Sequence, residues 1–266
     1  MSTYSIEHKE YLKRLEKEKR IITFFRFFII IMFLIIWELL ARSNIINTFL
    51  YSSPSKIINT ITKLLENKEL IKHISITLYE VFISFISATI IGILVASILW
   101  SNERLAKIID PYLTIINSLP KVALGPLIII WVGASINSII FMALMISLFT
   151  TIINIYTGFI SVDNNYIIML KSFGANKFQI YKKIILPTNL ENIITTLKIN
   201  ISMSLIGVIM GELLVSKSGL GYLIMYGSQV FNLDLVITSI VILGIISYLM
   251  YYIVDKFLVI LKSKSS

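Results

Sequence analysis

Long apolar blocks alternate with short polar segments along this chain. Six of the blocks approach or exceed 20 residues and carry few charged side chains. At a rise of 1.5 Å per residue, about 20 helical residues cross the roughly 30 Å hydrocarbon core of a bilayer. The pattern therefore predicts an all-α, polytopic membrane protein with six transmembrane helices. The predicted spans are Ile21–Ala41, Leu78–Trp100, Leu113–Val132, Ser138–Ile160, Ile193–Val215 and Leu235–Leu258.

The polar segments predict the remaining parts of the chain. Residues 1–20 contain Glu–Arg pairs four apart, which favour a short surface helix in a cytoplasmic N-terminal segment. The membrane domain is predicted at residues 21–260, and a short cytoplasmic tail follows at 261–266.

A second amphipathic helix is predicted on the outer surface, between the first two spans. Ser53 is a typical N-cap residue, and Pro54 suits the first helical position. Its apolar residues recur at helical spacing and predict one buried stripe. That stripe consists of Ile57, Ile58, Ile61, Leu64 and Leu65.

The third predicted span is interrupted. Pro120 and Pro126 break its helical pattern, and Lys121 lies between them. Irregular backbone at membrane depth must be covered by protein or face a water-filled cavity. We therefore predict that these three residues belong to a pathway through the membrane.

Composition and charge support a membrane location. Only 15% of the residues are charged, and the net charge is +9. The basic residues flank apolar blocks instead of forming one soluble face, which argues against nucleic-acid binding. Their distribution predicts that both termini lie in the cytoplasm, in a multi-pass protein of a prokaryotic cell membrane in contact with lipid. There is no cysteine, so no disulfide is expected.

Small residues predict close helix contacts in two spans. They let helix backbones approach, either inside one bundle or across a homodimer interface. The pattern leaves both interpretations open. These residues are Ser84, Ala88, Gly92 and Ala96 in the second span, and Gly207 and Gly211 in the fifth.

Three ionisable residues fall inside predicted spans, where charge is costly and often functional. Glu80 and Lys198 lie near span ends, and we expect them to reach interfacial water. Glu212 precedes an outer loop. It is predicted to be either a gate or interface contact or a solvated charge at a helix end.

Candidate enzyme chemistry is sparse. The two histidines, His8 and His73, do not form a cluster with metal-ligand spacing. No glycine is followed by lysine, so the chain lacks a Gly-x4-Gly-Lys-Ser/Thr phosphate-binding loop. We predict no catalytic residue and no metal site, and any ATP used must be bound by another subunit.

The loop between spans four and five carries the clearest motif. Four residues match the end of a Glu-Ala-Ala-x3-Gly-x9-Ile-x-Leu-Pro signature, and in this loop the chain resembles permease subunits of ABC importers. The matching residues are Gly174, Ile184, Leu186 and Pro187. The Glu-Ala-Ala part is replaced by Ile168, Met169 and Leu170.

Three further segments resemble the nitrate/sulfonate/taurine branch of these permeases. They are Tyr51 to Lys56, Ser118 to Gly133, and Gly211 to Tyr222. The resemblance runs in order along residues 50 to 260.

This resemblance implies a coupling helix at 163–175 that docks onto a cytoplasmic ATPase dimer, which binds ATP and Mg²⁺ in place of this chain. It also implies an extracytoplasmic solute-binding protein, a second copy of the permease and a small transported solute. The predicted ATPase contacts are Asp163, Ile168, Met169, Leu170, Lys171, Phe173, Gly174 and Ala175. Lys177 is expected to face lipid headgroups or water.

Two other classes remain as alternatives. A secondary transporter driven by an ion gradient usually has repeated halves, and none is visible in this sequence. A membrane-embedded enzyme is disfavoured because no catalytic cluster is present.

Overall fold

The structure is a computed structural model that describes the backbone of residues 6–265 and the side chains of residues 11–256. Over this range it is built from helices and contains no strand. In chain order the α-helices are α1 (Ile6–Arg42), α2 (Thr48–Tyr51), α3 (Pro54–Glu66), α4 (Glu69–Ser101), α5 (Glu103–Ser118), α6 (Gly125–Val132), α7 (Ile136–Ile160), α8 (Asn164–Ser172), α9 (Lys177–Ile180), α10 (Leu186–Thr188), α11 (Leu190–Val215), α12 (Leu220–Gln229) and α13 (Leu233–Ser265).

Five of the described helices are long and apolar enough to span a membrane, and α5 with α6 forms a sixth if the bent pair counts as one span. This architecture confirms the predicted all-α, polytopic class. The long helices extend beyond the predicted spans, since α4 begins at Glu69 and α11 at Leu190.

Helix α1 is continuous, so the predicted separation of a surface helix at 1–20 from the first span is wrong where residues are described. No Gly or Pro lies between Ile6 and Arg42 to stop the helix, and Arg20 lies 4.0 Å from Glu16 one turn earlier. Residues 1–5 of the predicted segment lie outside the described residues. Most apolar side chains of α1 are exposed on this single chain.

Helix α3 begins as predicted, because the Ser53 hydroxyl accepts a hydrogen bond from the Lys56 amide and Pro54 follows the cap. Its inward face is narrower than the predicted stripe, because only part of the helix packs against α4 and α13. Ile57 and Leu64 are buried, whereas Ile58 and Leu65 are exposed.

The centre of the bundle is formed by α4, α7 and α11. Gly207 of α11 lies directly against the backbone of Ala143 on α7, and a Cβ on Gly211 would come within 3.1 Å of the Ile139 Cα. Gly92 of α4 also lies against α7, where an added Cβ would meet the side chain of Thr151. The small residues therefore serve packing inside one chain, which is the first of the two interpretations.

The third predicted span, Leu113–Val132, is not one straight helix. Helix α5 starts earlier, at Glu103, and a 3₁₀ turn at Lys121–Leu124 separates it from α6. The two segments meet at an angle of 85°. Pro120 cannot continue the hydrogen-bond ladder of α5, while Pro126 fits the first turn of α6, so the prolines end one helix and start the next.

Candidate functional site

The loop between α7 and α11 folds around a short helix, α8. The Asp163 carboxylate caps it by accepting a hydrogen bond of 2.9 Å from the Asn165 amide. At its other end, Gly174 has φ of +78°, and its amide donates to the Lys171 carbonyl. The Ala175 amide donates to the Leu170 carbonyl at 3.0 Å. This is a Schellman ending, which explains why the signature position is a glycine.

The inward face of α8 packs on the chain itself. Ile167, Leu170 and Ala175 join a cluster with the buried Ile180 and Ile185. Helical spacing places Ile167 and Leu170 on one side of α8, and Ala175, which follows the turn at Gly174, packs against the same cluster. Leu170 and Ala175 are therefore half-buried instead of being fully presented to a partner.

The outward face of α8 is apolar and exposed. It carries Tyr166, Ile168, Met169 and Phe173, and Phe173 is 80% exposed. Among the predicted contact residues, Asp163, Lys171 and Gly174 are exposed as well. Grouped apolar side chains on a surface loop indicate an interaction site.

The second half of the loop is attached to the end of α4. The Tyr181 hydroxyl shares a hydrogen bond of 2.7 Å with Ser97. Lys177 is exposed, in line with the expectation that it faces water or headgroups, and its ammonium also donates a hydrogen bond of 3.1 Å to the Ser101 carbonyl. The loop is therefore linked through side chains to α4 as well as through the backbone to α7 and α11.

The end of the signature includes a π-helical turn, Tyr181–Ile185, in which the buried Ile185 follows the half-buried Ile184. Pro187 lies in α10 and does not begin the fifth span, which starts at Leu190. Because proline has no N–H, it cannot close the α-helical bond to the carbonyl four residues earlier, and the wider turn occurs just before it.

Glu212 is buried, with 1% exposure, so the interpretation as a solvated helix-end charge is wrong. Its carboxylate accepts a hydrogen bond of 2.6 Å from the Thr77 hydroxyl and one of 2.5 Å from the Gly221 amide. These contacts join α4, α11 and the start of α12. Glu212 acts as a cap for α12 supplied by a different helix.

Two neighbouring contacts complete this cap. The Leu220 amide donates to the Thr77 hydroxyl at 2.9 Å, and the Gly219 amide donates to His73 Nδ1 at 2.8 Å. His73, Thr77 and Glu80 lie at i, i+4 and i+7 on α4, so they share one face. This polar helix face was the available signal for His73 and Thr77, which the sequence interpretation did not assign to the site.

The other two intramembrane ionisable residues differ in their surroundings. Glu80 is fully buried, so it does not reach interfacial water as expected, and neither of its carboxyl oxygens has a hydrogen-bond partner in the described part of the chain. Lys198 forms an ion pair with Asp255 of α13. Asp255 lies 57 residues after Lys198 in the sequence, which explains why local sequence context did not indicate this pair.

The break between α5 and α6 contains a third polar group. The Lys121 ammonium donates to the Asn117 side-chain oxygen at 2.9 Å and to the Ile146 carbonyl at 3.2 Å. The Thr150 hydroxyl donates to the same Asn117 oxygen at 3.1 Å. Lys121 and Glu212 share no hydrogen-bond partner, so the structure places the predicted pathway residues in two separate groups.

Within the part of the chain that the structure describes, no group of three or more His, Cys, Asp or Glu side chains is placed to hold a metal ion. The polar clusters instead join helices to one another.

The architecture is that of a polytopic helical membrane protein. A chain of the MetNI methionine ABC transporter in an inward-facing conformation superposes with a TM-score of 0.64 at 22% identity, covering 71% of this chain and 94% of that one. Residues 88–265 match the family of binding-protein-dependent transport system inner membrane components. The chain belongs to this family, the permease subunits of ABC importers, and the prediction made from the loop signature is confirmed.

Two curated relatives indicate the branch. The formylaminopyrimidine transport permease ThiX of Halalkalibacterium halodurans is 30% identical over 72% of this chain and 76% of its own length. The putative aliphatic sulfonates transport permease SsuC of Bacillus subtilis is 26% identical over 86% of this chain and 82% of its own length. The chain is thus a transport subunit similar to permeases for small organic solutes.

Proposed function

We propose that this permease carries a small organic solute delivered by an extracytoplasmic binding protein, and that the outward face of α8 docks onto a cytoplasmic ATPase. A second copy of the chain completes the pathway. ATP and Mg²⁺ bind to the ATPase, and both termini of the permease lie in the cytoplasm.

The exposed apolar face of α8 is the observation that carries this proposal. The side chains of Ile168, Met169 and Phe173 are apolar and exposed to solvent in the isolated chain. They lie outside the segments long enough to span the membrane. Burying apolar surface contributes about 25 cal/mol per Å². A groove on a partner protein accounts for these residues, and family membership favours an ATPase as that partner.

The contacts of the loop suggest how movement reaches the membrane. The inward face of α8 packs on a cluster that includes Phe159 of α7. Tyr181 and Lys177 link the loop to the end of α4. Movement of α8 by a closing ATPase would therefore displace α4 and α7 together, because protein interiors are close-packed and transmit strain.

The relatives bear on the solute. One is named for a formylaminopyrimidine and the other for aliphatic sulfonates. We therefore propose a solute of this size, either a neutral heterocycle or an organic anion.

The docking surface can be tested by substituting Ile168 with serine. We expect Ile168→Ser to weaken recovery of the ATPase in co-purification by about 3- to 10-fold, because a buried aliphatic side chain at an interface is worth about 1 kcal/mol or more. Membrane levels of the permease should stay normal, since Ile168 is 60% exposed in the isolated chain.

Ile58→Ser is the matched control. It makes the same chemical change at a similarly exposed helical position, 63%, on the predicted outer surface. ATPase recovery should be unchanged in this variant. Equal recovery with Ile168→Ser and wild type would exclude the outward face of α8 as the docking surface.

The orientation can be tested with single cysteines, because the chain has none of its own. Cysteines at Ser55 and Lys217 should react with an impermeant thiol reagent added outside intact cells. Cysteines at Lys171 and Lys182 should react only after the membrane is opened, as the positive-inside rule requires. All four side chains are exposed, so burial does not limit labelling. Labelling of Lys171→Cys from outside would contradict the proposed orientation.

A further inference from the structure

Lys121 places a cation deep in the membrane domain. Its ammonium bonds the carbonyl of Ile146, which lies ten residues after the start of the 25-residue helix α7. At 1.5 Å per residue, this is about 15 Å along the helix, near the middle of a bilayer core.

The hydrogen-bond partners of this cation are neutral. They are an amide oxygen of Asn117 and a backbone carbonyl, and the nearby Phe149 ring, with its centroid 5.9 Å from the ammonium, is also uncharged. Among the described side chains, residues 11–256, no carboxylate forms an ion pair with Lys121. Lys198, in contrast, is paired with Asp255. Lys121 is therefore an intramembrane cation without a counter-charge in this part of the chain.

The position of Lys121 allows a solute to reach it. An ammonium group has three N–H donors, and two are used by Asn117 and Ile146. The side chain is half-buried, and Val122 and Leu124 beside it are exposed. The adjacent backbone is broken by the 85° bend, and such backbone at membrane depth lines a water-filled cavity or is covered by protein.

We infer that Lys121 is a solute contact that binds a negatively charged group, so that the transported solute is a small organic anion. This inference rests on the proposed transport function and decides between its two solute classes. A cation in a low-dielectric region strongly favours a nearby anion, because Coulomb attraction is weakly screened there. Asn117 and Ile146 hold the ammonium in place without neutralising it.

The main test measures uptake by vesicles containing the complete complex of permease, ATPase and binding protein. Ethanesulfonate and propionate are the anionic probes, and a formylaminopyrimidine is the neutral one. We expect uptake of at least one anion. Lys121→Met should lower that uptake by about 10- to 100-fold, because it removes a charged hydrogen bond, and Lys121→Arg should restore most of it.

Lys13→Met is the matched control, because Lys13 is exposed on α1, outside both the loop and the break between α5 and α6. It should transport at the wild-type rate. Uptake of the neutral pyrimidine without either anion would overturn the inference, as would undiminished anion uptake by Lys121→Met. Failure of the ATPase to co-purify with the wild-type permease would instead overturn the proposed function, and the inference with it.

A second measurement does not depend on the binding protein. A cysteine at Val122 should react with a methanethiosulfonate reagent that carries a sulfonate. The ratio of its reaction rate with this reagent to its reaction rate with a cationic analogue should fall about tenfold when Lys121→Met is added. A cysteine at Lys217 corrects for the intrinsic reactivity of the reagents. No reaction at Val122, or a preference that does not depend on Lys121, would contradict an anion-accessible site.

Discussion

Gly219→Ala is expected to destabilise the folded protein by about 3–5 kcal/mol. Gly219 has φ of +114° and ψ of 171°, a backbone conformation that is essentially restricted to glycine. An added Cβ would also collide with the carboxylate of Glu212. Moving that carboxylate would leave the buried donors of Thr77 and Gly221 without their acceptor. Backbone strain and lost hydrogen bonds therefore act together.

Two other glycines separate these causes. Gly133 has φ of +88° and ψ of 160°, but no atom lies within 4 Å of the position of its Cβ, so Gly133→Ala introduces strain alone. Gly244 also has open space around it and has no positive φ, so Gly244→Ala should be nearly neutral. The midpoint temperature of thermal unfolding in detergent should be highest for Gly244→Ala, lower for Gly133→Ala and lowest for Gly219→Ala. Equal midpoints for Gly133→Ala and Gly219→Ala would show that the Glu212 contacts add no stability.

The apolar blocks were sufficient to predict the class of fold because span length is a local property of the sequence. The Ser53–Pro54 helix start was predicted for the same reason, since a cap depends on neighbouring residues. Helix α12 was missed. Its N-terminus is capped by Thr77 and Glu212 from other helices, and no local pattern reports such contacts.

The loop signature identified Gly174 as a fixed position, and its positive φ shows why a glycine stands there. It did not determine which side chains of α8 face outward. Leu170 and Ile168 are both apolar, and only the packing against Ile180 and Ile185 shows that Leu170 faces the chain while Ile168 faces away. The charge of Lys121 was visible in the sequence, but the neutrality of its partners required the structure.

The contact between α7 and α11 leads to the second large effect, that of Gly207→Leu. Gly207 lies against the backbone of Ala143, which cannot rotate away as a flexible side chain would. Overpacking in a core typically costs 1–3 kcal/mol, and a collision with backbone places this variant at about 3 kcal/mol or above. The substitution adds a favourable apolar residue to a membrane span, so insertion should be normal while packing is lost.

Gly244→Leu makes the identical change on α13, where no atom lies within 4 Å of the Cβ position. Both variants should therefore reach the membrane at wild-type levels. In purified form, Gly207→Leu should unfold at a much lower temperature than Gly244→Leu and be cleaved faster by protease, because separation of α7 from α11 exposes the centre of the bundle. If the glycines of α11 instead formed a contact between two copies of the chain, Gly207→Leu would separate the copies and leave the unfolding of each one unchanged. Measuring the unfolding midpoint and the mass of the detergent-solubilised particle on the same sample distinguishes these results.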